Sequence, residues 1–146
     1  MKRFAFPLDT ARTWRRRQLE VEELRLHRIF VERQAIVARS HALDTELAQE
    51  EGLLSSSRLD SEALAALDGF RKYVTERRRQ IAIEMRACEQ KISAQRRAVV
   101  EARRRFQLLE RLREKALVEW RVAESREQEQ LASELFLARC VRERTG

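Results

Sequence analysis

Apolar residues in the second half of the chain recur in strictly alternating steps of four and three. The stripe occupies positions 67, 71, 74, 78, 81, 85, 88, 92, 95, 99, 102, 106, 109, 113, 116, 120 and 123, and thirteen of these seventeen residues are apolar. This spacing keeps one side of a helix facing a partner helix, so it predicts a coiled coil. No Gly or Pro interrupts residues 70–145. The pattern therefore predicts a helix over about residues 60–142, roughly 120 Å long.

The first half of the chain carries a similar but less regular pattern. Four leucines share one seven-residue register, and three further apolar residues lie three places on. The leucines are Leu19, Leu26, Leu47 and Leu54, and the others are Ile29, Ile36 and Leu43. Pro7 suits the first turn of a helix, where its missing N–H is not needed. These features predict a first helix over about residues 7–54.

A short connector is expected between the two helices, over about residues 54–60. Its three consecutive serines favour local side-chain hydrogen bonds over helix, and Asp60 or Ser61 is a good N-cap for the second helix. A short connector between two helices with apolar stripes predicts an antiparallel hairpin. We therefore expect an all-α fold, a single coiled-coil domain over residues 1–146, whose second helix is longer and overhanging.

The position of the connector also predicts which residues face each other. If the chain turns near residue 58, position i lies opposite about 116 − i. The N-terminal sequence "FAFPL" should then contact Phe106, Leu109 and Leu112, and residues from about 115 onward should be unpaired. Two stripe positions near the turn hold Arg71 and Arg78, where we expect the helices to splay.

Charge is distributed unevenly between the two predicted helices. Residues 18–61 carry nine acids and five bases, whereas residues 71–105 carry twelve bases and four acids. An acidic first helix along a basic second helix is favourable, each flanking contact contributing a few tenths of a kcal/mol. The arginine triplets at 15–17, 77–79 and 103–105 point in three directions each, and Tyr73 is the only aromatic residue between Phe70 and Phe106. Solvated coiled-coil flanks are therefore favoured over a nucleic-acid site, although a pI near 10.4 leaves non-specific nucleic-acid binding open.

Residues suited to catalysis or metal binding are sparse. Three scattered Gly exclude a phosphate-binding loop, and His27 and His41 lie about 21 Å apart along one helix. Cys88 and Cys140 have no metal-ligand spacing, so we expect reduced thiols that pack as small apolar side chains. No apolar stretch approaches the roughly 20 residues that cross a bilayer. We expect a soluble, intracellular protein that is not an enzyme and needs no cofactor or metal.

Several motifs together resemble the flagellar FliJ family. The opening "KRFAFPLDTARTWRRRQLEVEELRL" is similar to that family's F-x-F-x-L start, which is followed by an Arg- and Glu-rich helix. The later stretch "LLERLREKALVEWRVAESREQEQLASELFLAR" resembles the family's C-terminal pattern, with Ser133 where the family often has Asp. The matching residues there are Leu109, Leu112, Arg113, Glu114, Lys115, Glu127, Glu134 and Arg139. The similarity covers nearly the whole chain.

The resemblance implies a cytoplasmic component of the flagellar type III protein export apparatus, at the cytoplasmic face of the inner membrane through its partners. Such proteins are stalks that insert their paired termini into the hexameric export ATPase and promote its assembly and activity. They also contact the cytoplasmic domain of the export gate and are reported to bind export chaperones. The injectisome stalk proteins of the YscO type share this architecture and stay open as an alternative. A basic coiled-coil scaffold, homodimeric or nucleic-acid-binding, also stays open.

Two groups of residues fit these implied contacts. The group expected to bind the ATPase lies near the termini and combines aromatic, aliphatic and Arg side chains, which are common interface anchors. Its members are Phe4, Phe6, Trp14, Arg15, Arg16, Arg17, Leu131, Leu135, Phe136 and Arg139. The group expected to face the export gate lies early in the second helix, at helical spacing beside the stripe. Its members are Tyr73, Arg77, Gln80 and Glu84. An alternative for Phe4, Phe6 and Trp14 is that they only close the hairpin.

Overall fold

The computed structural model describes residues 3–56 and 60–146, which form two α-helices packed together. Helix α1 spans Asp9–Ser55 and helix α2 spans Ser61–Thr145, and the described residues contain no strand. The predicted all-α class with a longer second helix is confirmed. Pro7 lies in the turn just before α1, and the amide of Asp9 donates to the carbonyl of Phe6 at 3.1 Å. Residues 57–59 of the predicted connector lie outside the described residues.

Side-chain hydrogen bonds cap the end of α1 and the start of α2, on either side of the connector. The hydroxyls of Ser55 and Ser56 donate to the carbonyls of Gly52 and Leu53, at 2.8 and 2.9 Å. At the start of α2, the carboxylate of Asp60 accepts from the amide of Ala63 at 2.7 Å. This bond satisfies one of the amides that the first turn of a helix leaves unpaired, so the predicted N-cap at Asp60 is confirmed.

Replacing Asp60 with Ala is expected to lower the free energy of unfolding by about 1 kcal/mol, because the amide of Ala63 loses its acceptor. The measurement is the midpoint of urea unfolding followed by helical circular dichroism. Asp60→Asn serves as the control, because an Asn side chain accepts the same bond and should leave the midpoint nearly unchanged. Equal losses in the two variants would contradict a capping role.

Contacts divide the chain into two compact units. The hairpin unit is Glu20–Val100, and the terminal unit combines Met1–Leu19 with Glu101–Gly146. Each unit contains part of α1 and part of α2, because the two helices run antiparallel. Each unit is therefore held together by pairing of segments that are distant in sequence.

The core of the hairpin unit is the seam between its two helical segments. Its buried side chains are Ile36, Leu43, Val74, Ile81, Cys88, Ile92 and Val99. All five that belong to α2 occupy positions of the predicted stripe, which the structure thus confirms as the packed face of this unit. Half-buried Leu26, Ile29, Phe30, Leu47, Phe70 and Met85 pack against this core. The thiol of Cys88 is free and 3.7 Å from the carbonyl of Ile29, so it packs as expected for a small side chain.

Two contacts close to the seam show the register of the hairpin unit. The thiol of Cys88 lies 3.7 Å from the carbonyl of Ile29, and the side-chain amide of Gln95 donates to the carbonyl of Glu22 at 3.0 Å. Both pairs lie at 117 − i, within one residue of the predicted 116 − i.

The ion pairs of this unit join positions that are further apart along the helices. Arg78 contacts Asp44 at 2.6 Å and Arg71 contacts Glu51 at 3.0 Å, and both pairs lie at 122 − i. Long arginine side chains reach along the helix to their carboxylates, so these pairs do not mark the positions that lie directly opposite each other.

The two helices stay packed together around Arg71 and Arg78, where the sequence predicts that they splay. Val74, which lies between them on the stripe, is only 1% exposed, less than any other residue that the structure describes. Both arginines reach outward to carboxylates of α1 and leave the seam closed. Lys91 pairs with Glu32 at 3.8 Å in the same way. The predicted pairing of a basic α2 with an acidic α1 is thus observed in this unit.

Candidate functional site

The N-terminal segment of the terminal unit packs on α2 through an aromatic contact. Phe4 is half-buried, and its ring centroid lies 5.9 Å from that of Trp120. The guanidinium of Arg113 lies 6.0 Å from the centroid of the same ring. The predicted register places residue 112 opposite Phe4, whereas Phe4 lies beside Trp120, eight positions further along α2. The unpaired part of α2 accordingly begins after Trp120, not near residue 115.

An ion pair fastens the start of α1 to α2 in this unit. Arg12 donates to Glu110 at 2.6 Å and to Asp9 at 3.0 Å. The hydrogen bond to Glu110, followed by the one to Asp9, raises the pKa of the Arg12 guanidinium. Neither Arg12 nor Glu110 was singled out from the sequence. Their pairing becomes visible only once the register of the helices is known.

Trp14 and two residues of the arginine triplet are exposed on α1, whereas Arg15 is half-buried. Trp14 is 52% exposed, and the guanidinium of Arg15 stacks 4.8 Å above its ring. Arg15 also donates to the side chain of Gln18 at 3.1 Å. Arg16 and Arg17 are exposed. This cation–π pair presents a flat, amphipathic surface of the kind that is frequent at protein interfaces.

The tail, residues 121–146, is helical to Thr145 and carries large apolar side chains that remain exposed. Leu131, Leu135 and Phe136 are 53%, 72% and 67% exposed. Leu137 and Val141 are similarly exposed, whereas Arg139 pairs with Glu143 at 3.3 Å within the helix. Leu131 lies eleven residues past Trp120, about 16 Å along α2. The terminal group is thus divided between half-buried Phe4 and Phe6, the exposed Trp14 surface and the exposed tail.

The four residues expected to face the export gate lie on α2 of the hairpin unit. Tyr73 is half-exposed with its ring 6.1 Å from that of Phe70, and Arg77 donates to Gln80 at 3.0 Å. Glu84 is engaged in an ion pair with Arg39 of α1. Tyr73 and Arg77 border a shallow groove of about 220 Å³. An exposed aromatic ring beside a groove can bind an apolar side chain of a partner.

Comparisons with known proteins do not place this chain in a family. No protein-family model, curated protein or solved structure matches it. Among residues 3–56 and 60–146, no three His, Cys, Asp or Glu side chains are placed to hold one metal ion. Neither helix, over its described residues, has an apolar segment long enough to span a bilayer. The exposed apolar tail and the Trp14 surface are the features of the terminal unit best suited to binding another protein.

Phe4 and Trp14 are expected to respond differently to truncation. Phe4→Ala removes the contact with Trp120 and should lower the free energy of unfolding by about 1–2 kcal/mol, less than for a fully buried ring. Trp14→Ala should change it by no more than about 0.5 kcal/mol, because most of that ring is already solvated. Thermal unfolding followed by circular dichroism measures both. Equal destabilisation would show that Trp14 also closes the hairpin.

Proposed function

We propose that this chain is a non-enzymatic stalk of the flagellar type III protein export apparatus, similar to the FliJ family. In this proposal the terminal unit inserts into the central pore of the hexameric export ATPase and promotes its assembly and activity. The Tyr73 face of the hairpin unit contacts the cytoplasmic domain of the export gate. Export chaperones are further proposed partners, and the protein acts at the cytoplasmic face of the inner membrane through these contacts.

The observation that carries the proposal is the exposed apolar tail. Leu131, Leu135 and Phe136 lie on a helix that extends past its intramolecular partner, and burying such apolar side chains against another protein is favourable. The aromatic Phe4–Trp120 contact supports the proposal further, because it packs the N-terminal segment on α2 in the same unit as the tail.

The basic composition of α2 supports a stalk better than a nucleic-acid reader. Arg71, Arg78 and Lys91 are engaged with carboxylates of α1, so part of the positive charge is used within the hairpin unit. The base-stacking surface of a single-strand binder requires several exposed aromatic side chains along a basic groove. In the hairpin unit Tyr73 is the exposed aromatic residue of α2.

The test is the rate of ATP hydrolysis by the cognate export ATPase with and without the purified chain. The intact chain is expected to raise the rate, and deletion of residues 1–10 or of residues 130–146 is expected to abolish the stimulation. Circular dichroism of each deletion variant checks that the rest of the helical fold persists. An ATPase rate that the intact chain does not change would rule out pore insertion.

A further inference from the structure

The apolar stripe that faces α1 is interrupted at the start of the tail. After Ala123 the next positions in the same register are Glu127, Gln130 and Glu134, and apolar residues return to it only at Leu137 and Val141. Three consecutive polar residues do not extend the seam with α1. Leu131 and Leu135 lie in a different register and can serve a different contact.

A second stripe with alternating steps of four and three runs along the tail. Its members are Glu124, Gln128, Leu131, Leu135, Ala138 and Arg142. The spacing places all six on one side of the helix, within about 40° of its centre. Leu131 and Leu135 occupy the middle, and the side chains described in the structure leave both largely exposed. The stripe therefore has the pattern of a coiled-coil seam and lacks a helix on the other side.

This stripe is complementary to itself in the antiparallel orientation. Its positions are symmetric about residue 133, so that in an antiparallel pair Leu131 lies opposite the second copy's Leu135. Glu124 then lies opposite the second copy's Arg142, and each contact occurs twice. A parallel pair would place like charges opposite each other at both ends, which is unfavourable. Neither Glu124 nor Arg142 forms an ion pair with any other residue in the described ranges.

The length of the stripe also suits a helix pair. From Glu124 to Arg142 the stripe is about 27 Å long. The tail contains 26 residues, enough to hold the whole stripe on one side of a helix. Most of the stability of a helix in a protein comes from packing of its apolar face, which the tail lacks on this side. Pairing of two tails would bury the leucines and stabilise both helices.

We propose that the partner of this stripe is a second copy of the chain, and that two tails form an antiparallel helix pair centred on residue 133. The pair uses the face of Leu131, Leu135 and Ala138, and Phe136 lies about 120° from the centre of this face. It leaves Leu137 on the opposite side of each helix. A tail that is paired in this way cannot bind another protein through the same face.

The first test is the mass of the full-length chain by sedimentation equilibrium, from about 1 µM to about 1 mM, the range in which weak pairs associate. The expected mass rises from 17.3 kDa toward twice that value. Leu135→Glu is expected to keep the chain monomeric throughout. Leu137→Glu is the matched control, because Leu137 is 62% exposed but lies about 200° around the helix from Leu135. That variant should associate like the unmodified chain.

The second test reverses the charges at the two ends of the stripe. Glu124→Arg or Arg142→Glu alone should weaken association about tenfold, and the double variant should restore it. In a parallel pair the double variant would still place like charges opposite each other. Restoration is therefore specific to the antiparallel orientation. All these positions are exposed or half-exposed, so circular dichroism should show unchanged helix content.

Three outcomes would overturn the proposal. If the unmodified chain stays monomeric over the whole range, the stripe does not pair with a second copy of the chain. Loss of association in Leu137→Glu but not in Leu135→Glu would assign the contact to the other face. Single charge reversals without effect would exclude the antiparallel orientation. The proposal does not rest on the ATPase-stalk function, which is measured by ATP hydrolysis and stands or fails separately.

Discussion

Replacing Val74 with Asp is expected to unfold the hairpin unit at room temperature, or to leave this unit barely stable. Val74 is 1% exposed in the seam, so a carboxylate there is removed from water. The nearest stripe positions hold Arg71 and Arg78, which are already paired with Glu51 and Asp44. A carboxylate at position 74 would remain unpaired, or it would take Arg71 or Arg78 away from the α1 carboxylate with which that arginine pairs. Such a buried charge costs about 3–5 kcal/mol, a large share of the 5–15 kcal/mol that stabilises a typical domain.

The measurement is urea unfolding followed by circular dichroism, together with the rate of limited proteolysis. The matched control is Tyr73→Asp, which places the same residue one position earlier on the same helix. Tyr73 is 55% exposed, so this variant should lose no more than about 1 kcal/mol. Similar losses in the two variants would show that the change in helix propensity, and not burial in the seam, dominates.

Truncating the apolar tail is expected to remove the stimulation of the export ATPase, if the chain is the stalk proposed above. Replacing Leu131, Leu135 and Phe136 together with Ser removes three large exposed side chains. Burial of each such side chain is worth about 1.5–3 kcal/mol, so their loss should weaken binding by at least about a hundredfold. The readouts are the chain concentration that gives half-maximal stimulation and the dissociation constant for the ATPase.

The matched control replaces three exposed apolar side chains of the hairpin unit with Ser, namely Leu24, Val31 and Ile83. These residues are also about half-exposed or more, and none belongs to the terminal unit. The control should stimulate the ATPase like the unmodified chain. If the control and the tail variant lose stimulation equally, the tail is not the contact surface. Arg142→Glu, which weakens self-association and lies outside the proposed ATPase-binding group, then separates loss of self-association from loss of ATPase binding.

Several features of this fold follow from local sequence. The alternating spacing predicts which face of α2 is buried, from Val74 through Val99, because helical geometry alone places those residues on one side. Asp60 is predicted as the N-cap because its side chain bonds to an amide three residues away. The acidic first helix and basic second helix predict cross-helix ion pairs, and Arg78–Asp44 is one of them. The exposed apolar tail is predicted from the unequal helix lengths.

Other features were decided by contacts between distant residues. The contacts of the terminal unit lie six to eight residues from the predicted register, Arg12–Glu110 by six and Phe4–Trp120 by eight. No local pattern predicts which residues meet in these long-range pairs.

The sequence by itself determined the helices, their caps and the buried face of the hairpin unit, because all three depend on residues within a few turns. Only the tertiary structure decided that Phe4 is half-buried while Trp14 is exposed, although both are aromatic residues near the N-terminus. It also decided that α2 becomes unpaired after Trp120, which leaves the stripe around Leu131 and Leu135 uncovered in the described chain. These outcomes depend on where one helix ends along the other, and that position is set by the long-range register.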